Sequence, residues 1–421
     1  MSDIPCSKRS AGGGHIATAS STPDEGGGGG GGSSPPSKRP RTNEEAASPG
    51  PGLGNGENEK EDHTPPSPAW KGPRTIVTFN VNGGIPRMTK DWREIDAFVT
   101  KEGPDLIVFQ EIRLPAKGPP KCKTTDDAGR KRGQMKDETK KDRDDVALVD
   151  RTLRALARKL GYRVVMSLAN SKKAGSAALI KLKIMPLESH TLCKRVDGRE
   201  NDCPAEEIYF SFDQSKEGGL SKQHHREGRV IVLKYPSVTI VALYVPNNGV
   251  KEESFERRRT WDATLRQFVT KFTSGPLIVC GDLNVAYEDS DLTHPSYFKN
   301  MMPSASPGNS GQPGCTPAER ERHSDLLESG EGLVDAYRHL HPAASAGTGT
   351  DTPGITWRGT AGNQFAEAGR YYGKGMRIDY FLVSKKLVPC VKEVKVFGSG
   401  AERNGFLGSD HCPLMLTLLE Q

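Results

Sequence analysis

Short apolar runs separated by polar and glycine-containing segments dominate the chain after residue 73. Runs of about four to eight residues rich in Val, Ile and Leu are typical of buried strands. We therefore predict strands at eight positions: Thr75–Phe79, Leu106–Phe109, Ala177–Ile180, Arg229–Tyr235, Val238–Val245, Leu277–Cys280, Tyr380–Val383 and Leu414–Leu418.

Longer segments between these runs repeat apolar residues at three- and four-residue steps, which is the helical period. They predict helices over Asp91–Thr100, Asp145–Leu160 and Glu253–Phe272, with Gly161 ending the second. Strands that alternate with helices in this way predict an α/β fold.

The first 72 residues have a different composition, with an unbroken glycine run at Gly26–Gly32 and many Pro, Ser, Asn and Glu residues. Such a segment buries too little apolar surface to offset the entropy of ordering it. We therefore expect a disordered tail over 1–72 and a folded domain over 73–421. Polar segments predicted to be mobile loops within that domain lie near 114–145, 186–227, 298–315 and 341–354.

Charge and cysteine content narrow the class of protein. The chain carries a formal charge of +6, and its acidic tail makes the remainder more basic still. A basic domain suits a polyanionic partner such as nucleic acid, although many proteins with neutral substrates share the feature. The eight cysteines form no C-x-x-C pair, which disfavours a structural zinc site, and Cys280 and Cys412 are predicted core thiols.

The sequence shows no targeting segment of the apolar kind. No apolar run approaches the roughly 18–20 residues of a membrane span. We expect a soluble intracellular chain. The basic cluster Lys38–Arg41 resembles a nuclear-import signal, with an ordinary solvated charge cluster as the alternative. We therefore expect the nucleus, with the mitochondrion left open.

The most informative stretch is Leu277–Asn284, a predicted strand followed by Gly-Asp-Leu-Asn. Residues two apart in extended chain point to the same side, so Asp282 and Asn284 are expected to face one cavity. The acid suits proton transfer with water, and the amide suits an anionic oxygen. The alternative is an Asx turn that closes the strand.

Other predicted strands also end in polar groups, and active sites gather where strands end at one edge of a sheet. Hard carboxylates with few thiols favour Mg²⁺ or Mn²⁺ over zinc. Such a metal, an acid/base group and hydrogen-bond donors are what phosphodiester hydrolysis requires. Neither a G-x-S-x-G nucleophile motif nor a phosphate-binding G-x-x-x-x-G-K-[ST] loop occurs. The strand-end groups are Asn80, Glu111, Tyr244, Asn247, Asp379, Asp410 and His411.

Through these residues and the segments around them, the chain resembles the exonuclease III-like apurinic/apyrimidinic endonucleases, from about Arg74 to Leu419. TPAER and DAYRHLHP are specific to this branch of the endonuclease/exonuclease/phosphatase fold. The resemblance implies a four-layer α/β sandwich with two packed mixed β-sheets flanked by helices. The matching segments are FNVNG from Phe79, FQEIR from Phe109, EGRVIV from Glu227, YVPNNG from Tyr244, CGDLNVA from Cys280, TPAER from Thr316, DAYRHLHP from Asp335, RIDYFLVS from Arg377 and GSDHCP from Gly408.

The resemblance also implies a metal site. Glu111 is the expected principal ligand of Mg²⁺, with Mn²⁺ as a substitute. The other residues expected in or beside the metal environment are Asn80, Asn82, Asp282, Asn284, Asp410 and His411.

Roles in catalysis follow from the same resemblance. Asp282 is expected to activate the water or to protonate the leaving oxygen, and Asn284 to stabilise the pentacovalent phosphate. Tyr244 is expected to hold the phosphate. His411, oriented by Asp379, is expected to bind a phosphate oxygen, because a carboxylate fixes the imidazole tautomer and favours its charged form.

Departures from the family pattern concern substrate choice. Asn82 replaces an aspartate of the vertebrate-type enzymes. Val250 replaces an arginine that enters the DNA, while Thr356 and Met376 replace aromatic residues of the abasic-sugar pocket. The residues expected to contact DNA are Arg113, Asn247, Trp357, Met376 and His411.

The expected function is a Mg²⁺-dependent DNA-(apurinic or apyrimidinic site) endonuclease of base-excision repair that cuts 5′ to an abasic site. A 3′-phosphodiesterase or 3′→5′ exonuclease activity is expected beside it. Its partner would be duplex DNA with abasic sites or blocked 3′ ends, and the chain would act as a monomer. The alternatives are another phosphodiesterase of this fold and a catalytically silent DNA-binding regulator.

Overall fold

The computed structural model describes the chain from Trp70 to Leu419 with several gaps. Within these ranges no helix is long and apolar enough to cross a membrane. The predicted tail and its basic cluster Lys38–Arg41 lie outside the described residues and stay predictions. The described ranges are 70–114, 139–169, 173–182, 193–194, 200–201, 207–212, 227–272, 275–304, 306–342, 349–359 and 370–419.

Two six-stranded mixed sheets form the centre of the domain. The first has the strand order β13-β14-β1-β2-β4-β3, and the second has the order β11-β12-β10-β9-β8-β7. A separate hairpin consists of β5 and β6. The strands are β1 Thr75–Asn80, β2 Leu106–Gln110, β3 Tyr162–Ser167, β4 Ser176–Lys181, β5 Cys193–Lys194, β6 Glu200–Asn201, β7 Glu207–Tyr209, β8 Val230–Lys234, β9 Thr239–Tyr244, β10 Leu277–Asp282, β11 Leu333–Asp335, β12 Asp379–Ser384, β13 Val391–Val396 and β14 Leu414–Leu418.

Helices cover the outer faces of both sheets. A short helical turn at Gly84–Pro86 and a π-helical turn at Arg87–Asp91 lead into the first long helix. Single 3₁₀ turns lie at Asp289–Asp291 and Lys385–Cys390. The longer helices are α1 Trp92–Glu102, α2 Lys140–Leu160, α3 Glu252–Lys271, α4 Pro295–Lys299, α5 Pro317–Leu327 and α6 Ala336–Leu340.

Three apolar clusters hold these layers together. The inner faces of the two sheets share one core, in which Ile76 and Val108 of the first sheet meet Ile240 and Ile278 of the second. A second cluster joins the first sheet to α1 and α2, and a third joins the second sheet to α3 and α5. The order helix, sheet, sheet, helix confirms the predicted four-layer α/β sandwich. Cys280 and Cys412 are buried free thiols in the inner core, as predicted.

The edge elements differ from the sequence prediction. Strands β3 and β13 and helix α5 were not predicted, because their alternation of apolar and polar residues is irregular. Helix α2 begins at Lys140 rather than Asp145, since Thr139 and Asp142 form a capping box at its start. The end of the predicted loop 114–145 is therefore helical, and residues 115–138 lie outside the described ranges.

Much of the segment 298–315 is packed against the domain, in contrast to the predicted mobile loop. Phe298 is fully buried, and Asn309 accepts a hydrogen bond from Asn248. The carbonyl of Gly314 accepts one from the Ala286 amide at 2.5 Å. The described parts of the other two segments are residues 193–194, 200–201, 207–212 and 227 within 186–227, and residues 341–342 and 349–354 within 341–354.

Strand register brings the predicted site residues to one edge. Strands β1 and β2 are parallel, and so are β9 and β10, so each pair ends on the same side. In the second sheet, Asp282 pairs with Tyr244 on one side and with Asp379 on the other. A single row across three strands thus carries two carboxylates and a phenol.

Gly281 makes this row sterically feasible. Its φ is +133°, and a Cβ there would overlap the carbonyl oxygen of Leu243 on the neighbouring strand. We expect Gly281→Ala to lower the free energy of unfolding by about 3 kcal/mol or more, through strain and a displaced strand. Urea unfolding measures this change.

Gly161, the residue that ends α2, is the matched control. Its φ is also positive, but a Cβ there would have no neighbour within 4 Å. Gly161→Ala is expected to cost only about 1 kcal/mol. Equal losses for the two variants would contradict the steric explanation.

His323 gives the fold a dependence on pH. The side chain lies in α5, with its ring 5.1 Å from that of Tyr287 and 5.2 Å from that of Tyr380. Burial lowers the pKa of His323 from 6.5 to about 4, against the opposing effect of Asp335. The folded protein therefore binds fewer protons than the unfolded chain between these values, so this contribution is complete above pH 6.5 and falls toward pH 4.

We expect the free energy of unfolding to drop by about 2 kcal/mol from pH 7.5 to pH 5 through His323 alone. Urea unfolding of the wild type and of His323→Phe at both pH values isolates this contribution, because phenylalanine fills the site without titrating. The same decrease with pH in both proteins would show that His323 is not responsible.

Candidate active site

The side-chain amide of Asn80 joins the two sheets at the edge where their strands end. Its Nδ2 donates to Glu111 Oε1 at 3.1 Å and to Asp282 Oδ2 at 2.9 Å. Its Oδ1 accepts the backbone N–H of Asn82 at 3.0 Å. Glu111 follows β2 of the first sheet and Asp282 ends β10 of the second, so a single buried amide holds carboxylates from both sheets.

Glu111 is surrounded by donors. Tyr244 donates its hydroxyl to Oε1 at 2.6 Å, and Arg113 donates to Oε2 through Nε at 2.8 Å and also through its terminal nitrogen. Burial raises the pKa of Glu111, but Arg113, Tyr244 and Asn80 together bring that pKa below its ordinary value. Glu111 is therefore an anion at neutral pH.

Tyr244 lies between the positive charge of Arg229 and the negative charge of Glu111. Its ring lies under the guanidinium of Arg229, 4.4 Å from the ring centroid, and that arginine also donates to the Tyr244 carbonyl at 3.0 Å. Burial and the nearby Glu111 raise the pKa of Tyr244 well above its ordinary value. The phenol thus keeps its proton and serves as a hydrogen-bond donor.

Asp282 and Asn284 lie together at the end of β10, but through a turn and not through extended chain, since Asn284 has a φ of +49° and the contact is the Asx-type bond given above as the alternative. Asp282 Oδ1 accepts the backbone N–H of Asn284 at 2.9 Å, and the Asn284 amide donates to Val245 O at 2.8 Å. Burial raises the pKa of Asp282, while the His411 charge opposes the rise. A carboxyl group with a raised pKa is a better proton acceptor than an exposed one.

Asp379 and His411 form a buried pair beside Asp282. His411 Nδ1 lies 2.8 Å from Asp379 Oδ2, and Nε2 lies 3.8 Å from Asp282 Oδ2. Burial disfavours the charged ring, but Asp379 and Asp282 raise the pKa of His411 to about 10. His411 is thus an imidazolium whose Nε2 lies beside Asp282, beyond hydrogen-bond distance.

Two carboxylates suit a hard metal ion better than the other groups. Glu111 is anionic, and Asp410 has a buried Oδ1 for which the described residues provide no hydrogen-bond partner. Carboxylate oxygens are the ligands that Mg²⁺ prefers. Asp282, Asp379 and His411 also place one ligand atom each within 4.8 Å of one another. However, a protonated imidazole has no lone pair to offer a metal.

The two amides predicted as metal ligands, those of Asn80 and Asn284, make hydrogen bonds to other protein groups. Asn80 turns its N–H groups toward the carboxylates and its oxygen toward the Asn82 backbone. The oxygen of Asn284 accepts a hydrogen bond from Asn247 at 3.2 Å. In this arrangement both amides act as hydrogen-bonding groups that fix the carboxylates, and the predicted metal set, Glu111 and Asp410 included, stays a prediction.

The residues predicted to contact DNA divide into two groups. Arg113 and Asn247 are exposed at the rim, and Trp357 is half-buried with its Nε1 donating to Asp410 Oδ2 at 3.2 Å. Met376, in contrast, is 2% exposed and lies in an apolar cluster with Phe298. Met376 therefore has no face for a ligand in this arrangement. His411 belongs to the buried pair described above.

Arg258, in α3, is a site residue that the sequence analysis missed. Its buried guanidinium donates to the carbonyl oxygens of Pro246 at 3.0 Å, Leu283 at 3.0 Å and Asn284 at 3.1 Å. These carbonyls belong to the loops that carry Asn247 and Asn284. The available signal was a charged residue in the apolar stripe of the helix, three residues before Trp261.

Thr356 is a second residue whose role the sequence did not reveal. The prediction placed it as a substitution in a sugar pocket, but the side chain is fully buried. Its hydroxyl accepts the backbone N–H groups of Ile378 and Asp379. No pattern in the sequence marks this role, because a lone threonine in a polar segment is common.

Comparison with known proteins identifies the class. Residues 77–411 match the sequence pattern described as the endonuclease/exonuclease/phosphatase family. The chain therefore belongs to this family, which confirms the resemblance inferred from the sequence.

Two named relatives indicate a narrower group within this family. A DNA-(apurinic or apyrimidinic site) endonuclease of Arabidopsis thaliana is 36% identical over 377 residues, which cover 87% of this chain and 89% of that protein. A protein of the same name from Plasmodium falciparum is 33% identical, over 82% of this chain and 55% of that protein.

Solved structures share the fold. An AP endonuclease from Leishmania major superposes with a TM-score of 0.53 and 21% identity, over 83% of this chain and 88% of that one. A 3′-5′ exonuclease from Neisseria meningitidis gives 0.52 and 20%, over 82% and 99%.

The charge of His411 can be measured directly. We expect the ring of His411 to stay protonated from pH 6 to pH 8, because its pKa is near 10. In Asp379→Asn the neutral amide no longer stabilises the imidazolium, so the pKa should fall by about 1 to 3 pH units. Nitrogen-15 NMR of the imidazole rings measures both values.

The His411→Gln variant assigns the resonance by its disappearance. Titration of the His411 ring between pH 6 and 8 in the wild type would contradict the assignment of an imidazolium. An unchanged pKa in Asp379→Asn would remove Asp379 as its cause.

Proposed function

We propose that this protein is a Mg²⁺-dependent DNA-(apurinic or apyrimidinic site) endonuclease of base-excision repair that hydrolyses the phosphodiester 5′ to an abasic site. The observation that carries the proposal is the meeting of Glu111 and Asp282 across two sheets, with Tyr244, Asn284 and His411 directed into the same space. The name of the Arabidopsis relative supports it.

Glu111 and Asp410 would hold the metal, and Asn80 would keep Glu111 in place. The bound ion would supply a positive charge that neutralises the phosphate as its negative charge grows. The chain supplies further positive charge of its own, since the His411 imidazolium faces the same space. Asp379 keeps that charge in place through its 2.8 Å hydrogen bond to Nδ1.

The side chains have separate roles in the proposed reaction. Asp282 takes a proton from the attacking water, whose oxygen forms the new bond to phosphorus while the bond to the 3′ oxygen breaks. The leaving oxygen takes a proton from solvent, so the products are a 3′-hydroxyl and a 5′-deoxyribose phosphate. The His411 Nε2–H is a donor for a phosphate oxygen, and such donors stabilise the transition state. The Tyr244 hydroxyl and the Asn284 amide would become donors to the phosphate by exchanging their present hydrogen bonds to Glu111 and Asp282.

The proposal includes processing of 3′ ends. An exposed Val250 near Asn247 gives the DNA-facing rim a composition different from the one that the resemblance implies for the vertebrate-type enzymes. The balance between internal incision and removal of 3′ blocks is therefore the property that the substrate experiment must measure. The chain is proposed to act as a monomer on duplex DNA. The basic cluster Lys38–Arg41 favours the nucleus, and the mitochondrion stays open.

Cleavage of a labelled duplex with one central abasic-site analogue tests the proposal. Each reaction is run with Mg²⁺ and with chelator, beside a duplex that has a blocked 3′ end. Asp282→Asn keeps the shape of the side chain but removes its basicity. We expect its turnover to fall by about 100- to 10,000-fold, with DNA binding retained.

Asp325→Asn is the control, because Asp325 lies on the surface in a pair with Arg266. It should cleave like the wild type. Trimming of the blocked end without incision would assign the chain to 3′-end processing. Equal DNA binding with no cleavage by any of the proteins would favour the silent regulator instead.

A further inference from the structure

We propose that Thr356 is a positioning residue of this site: its hydroxyl and its backbone fix Asp379 and His411 relative to each other. This inference rests on the proposed function, since it assigns the residue a part in the same reaction. The hydrogen bonds described for Thr356 go to backbone groups of other segments and not to the carboxylates proposed to bind the metal. It acts through the chain segments on either side of it.

The hydroxyl of Thr356 is the acceptor for the start of β12. Oγ1 accepts the Ile378 N–H at 3.0 Å and the Asp379 N–H at 3.1 Å. Both N–H groups are buried with it, so water does not replace the hydroxyl as their acceptor. This oxygen therefore helps to fix the Asp379 backbone, together with the pairing of β12 with β10.

The backbone of Thr356 holds the segment that carries His411. Its carbonyl accepts the Cys412 N–H at 2.9 Å, and its own N–H donates to the Met376 carbonyl at 3.1 Å. The next residue, Trp357, forms isolated β-bridges with both Met376 and His411. Three segments distant in sequence are thus joined at Thr356, which bonds the backbone of Asp379 itself and that of Cys412, the residue after His411.

The geometry of that pair leaves little room for displacement. The Asp379–His411 bond is 2.8 Å long, and Nε2 of the same ring is 3.8 Å from Asp282. A shift of the Asp379 backbone would tilt the ring, and the Nε2–H would move away from the space where the phosphate binds. Two of the predicted DNA contacts, Arg113 and Asn247, lie outside this segment, and Trp357 has backbone bridges of its own. Loss of the hydroxyl should therefore lower kcat and leave KM almost unchanged.

Valine tests the hydroxyl itself, because it matches threonine in shape but cannot accept a hydrogen bond. For Thr356→Val on the duplex with the abasic-site analogue, we expect kcat to fall by about 10- to 100-fold. Thr356→Ser keeps the oxygen and should restore most of the activity. Thr356→Cys has a weak acceptor and should lie between the two, which carries the test if the valine variant does not fold.

Thr293→Val is the matched control for the loss of a buried hydroxyl. Thr293 is as fully buried as Thr356, and its Oγ1 also accepts a backbone N–H from the same segment, that of Gly375 at 2.8 Å. Gly375 lies four residues before Asp379. Thr293→Val should lower the melting temperature as Thr356→Val does but keep the wild-type kcat.

Hydrogen exchange provides a measurement that does not use activity. Peptides that contain Ile378 and Asp379 should exchange faster in Thr356→Val than in Thr356→Ser or Thr293→Val. If Thr356→Val has the kcat of Thr293→Val, or if its exchange at these two amides is that of the wild type, Thr356 is not a positioning residue. If the wild type cleaves neither duplex, the proposed function fails, whereas the exchange result still decides whether the hydroxyl holds Asp379.

Discussion

The two hydrogen bonds from the Asn80 amide to Glu111 and Asp282 are the interaction on which the site depends. They connect carboxylates whose strands belong to different sheets and whose positions are 171 residues apart in the chain. Two buried carboxylates repel each other unless donors lie between them. The amide supplies these donors without adding a charge. The space left for substrate is therefore defined by how closely the two sheets pack.

Backbone strain gathers at the same place. Of the seven described non-glycine residues with positive φ, four follow the ends of β1, β2 and β10: Asn82, Glu111, Arg113 and Asn284. Such conformations cost about 1 kcal/mol or more each for residues with a Cβ. They persist because the strands before them are buried on both faces, and because Arg258 holds the backbone at Leu283 and Asn284. The rigid core thus stabilises the strained backbone conformations that orient the functional side chains.

Local patterns in the sequence predict the centre of this protein well. Apolar runs predict the central strands, whereas Asp282 and Asn284 meet through a turn at Asn284 and not through the extended spacing that the sequence analysis assumed. The pairing of Asp379 with His411 followed from resemblance rather than from spacing. Edge strands such as β13 were missed, because a strand that is half exposed has no continuous apolar run. The same holds for helix α5, whose buried positions include Glu319 and His323.

Residues that act through the backbone were harder to predict, for a physical reason. The role of Thr356 depends on two N–H groups more than twenty positions away, and the role of Arg258 on three carbonyls in two loops. Every non-proline residue has the same backbone N–H and C=O groups. The residue type therefore gives no sign of which position is the hydrogen-bond partner. Met376 shows the converse: a substitution judged by its place in a family pattern proved to be a core residue. Chemistry can therefore be inferred from the side chains at strand ends, whereas the accuracy of their placement depends on contacts that only the folded chain reveals.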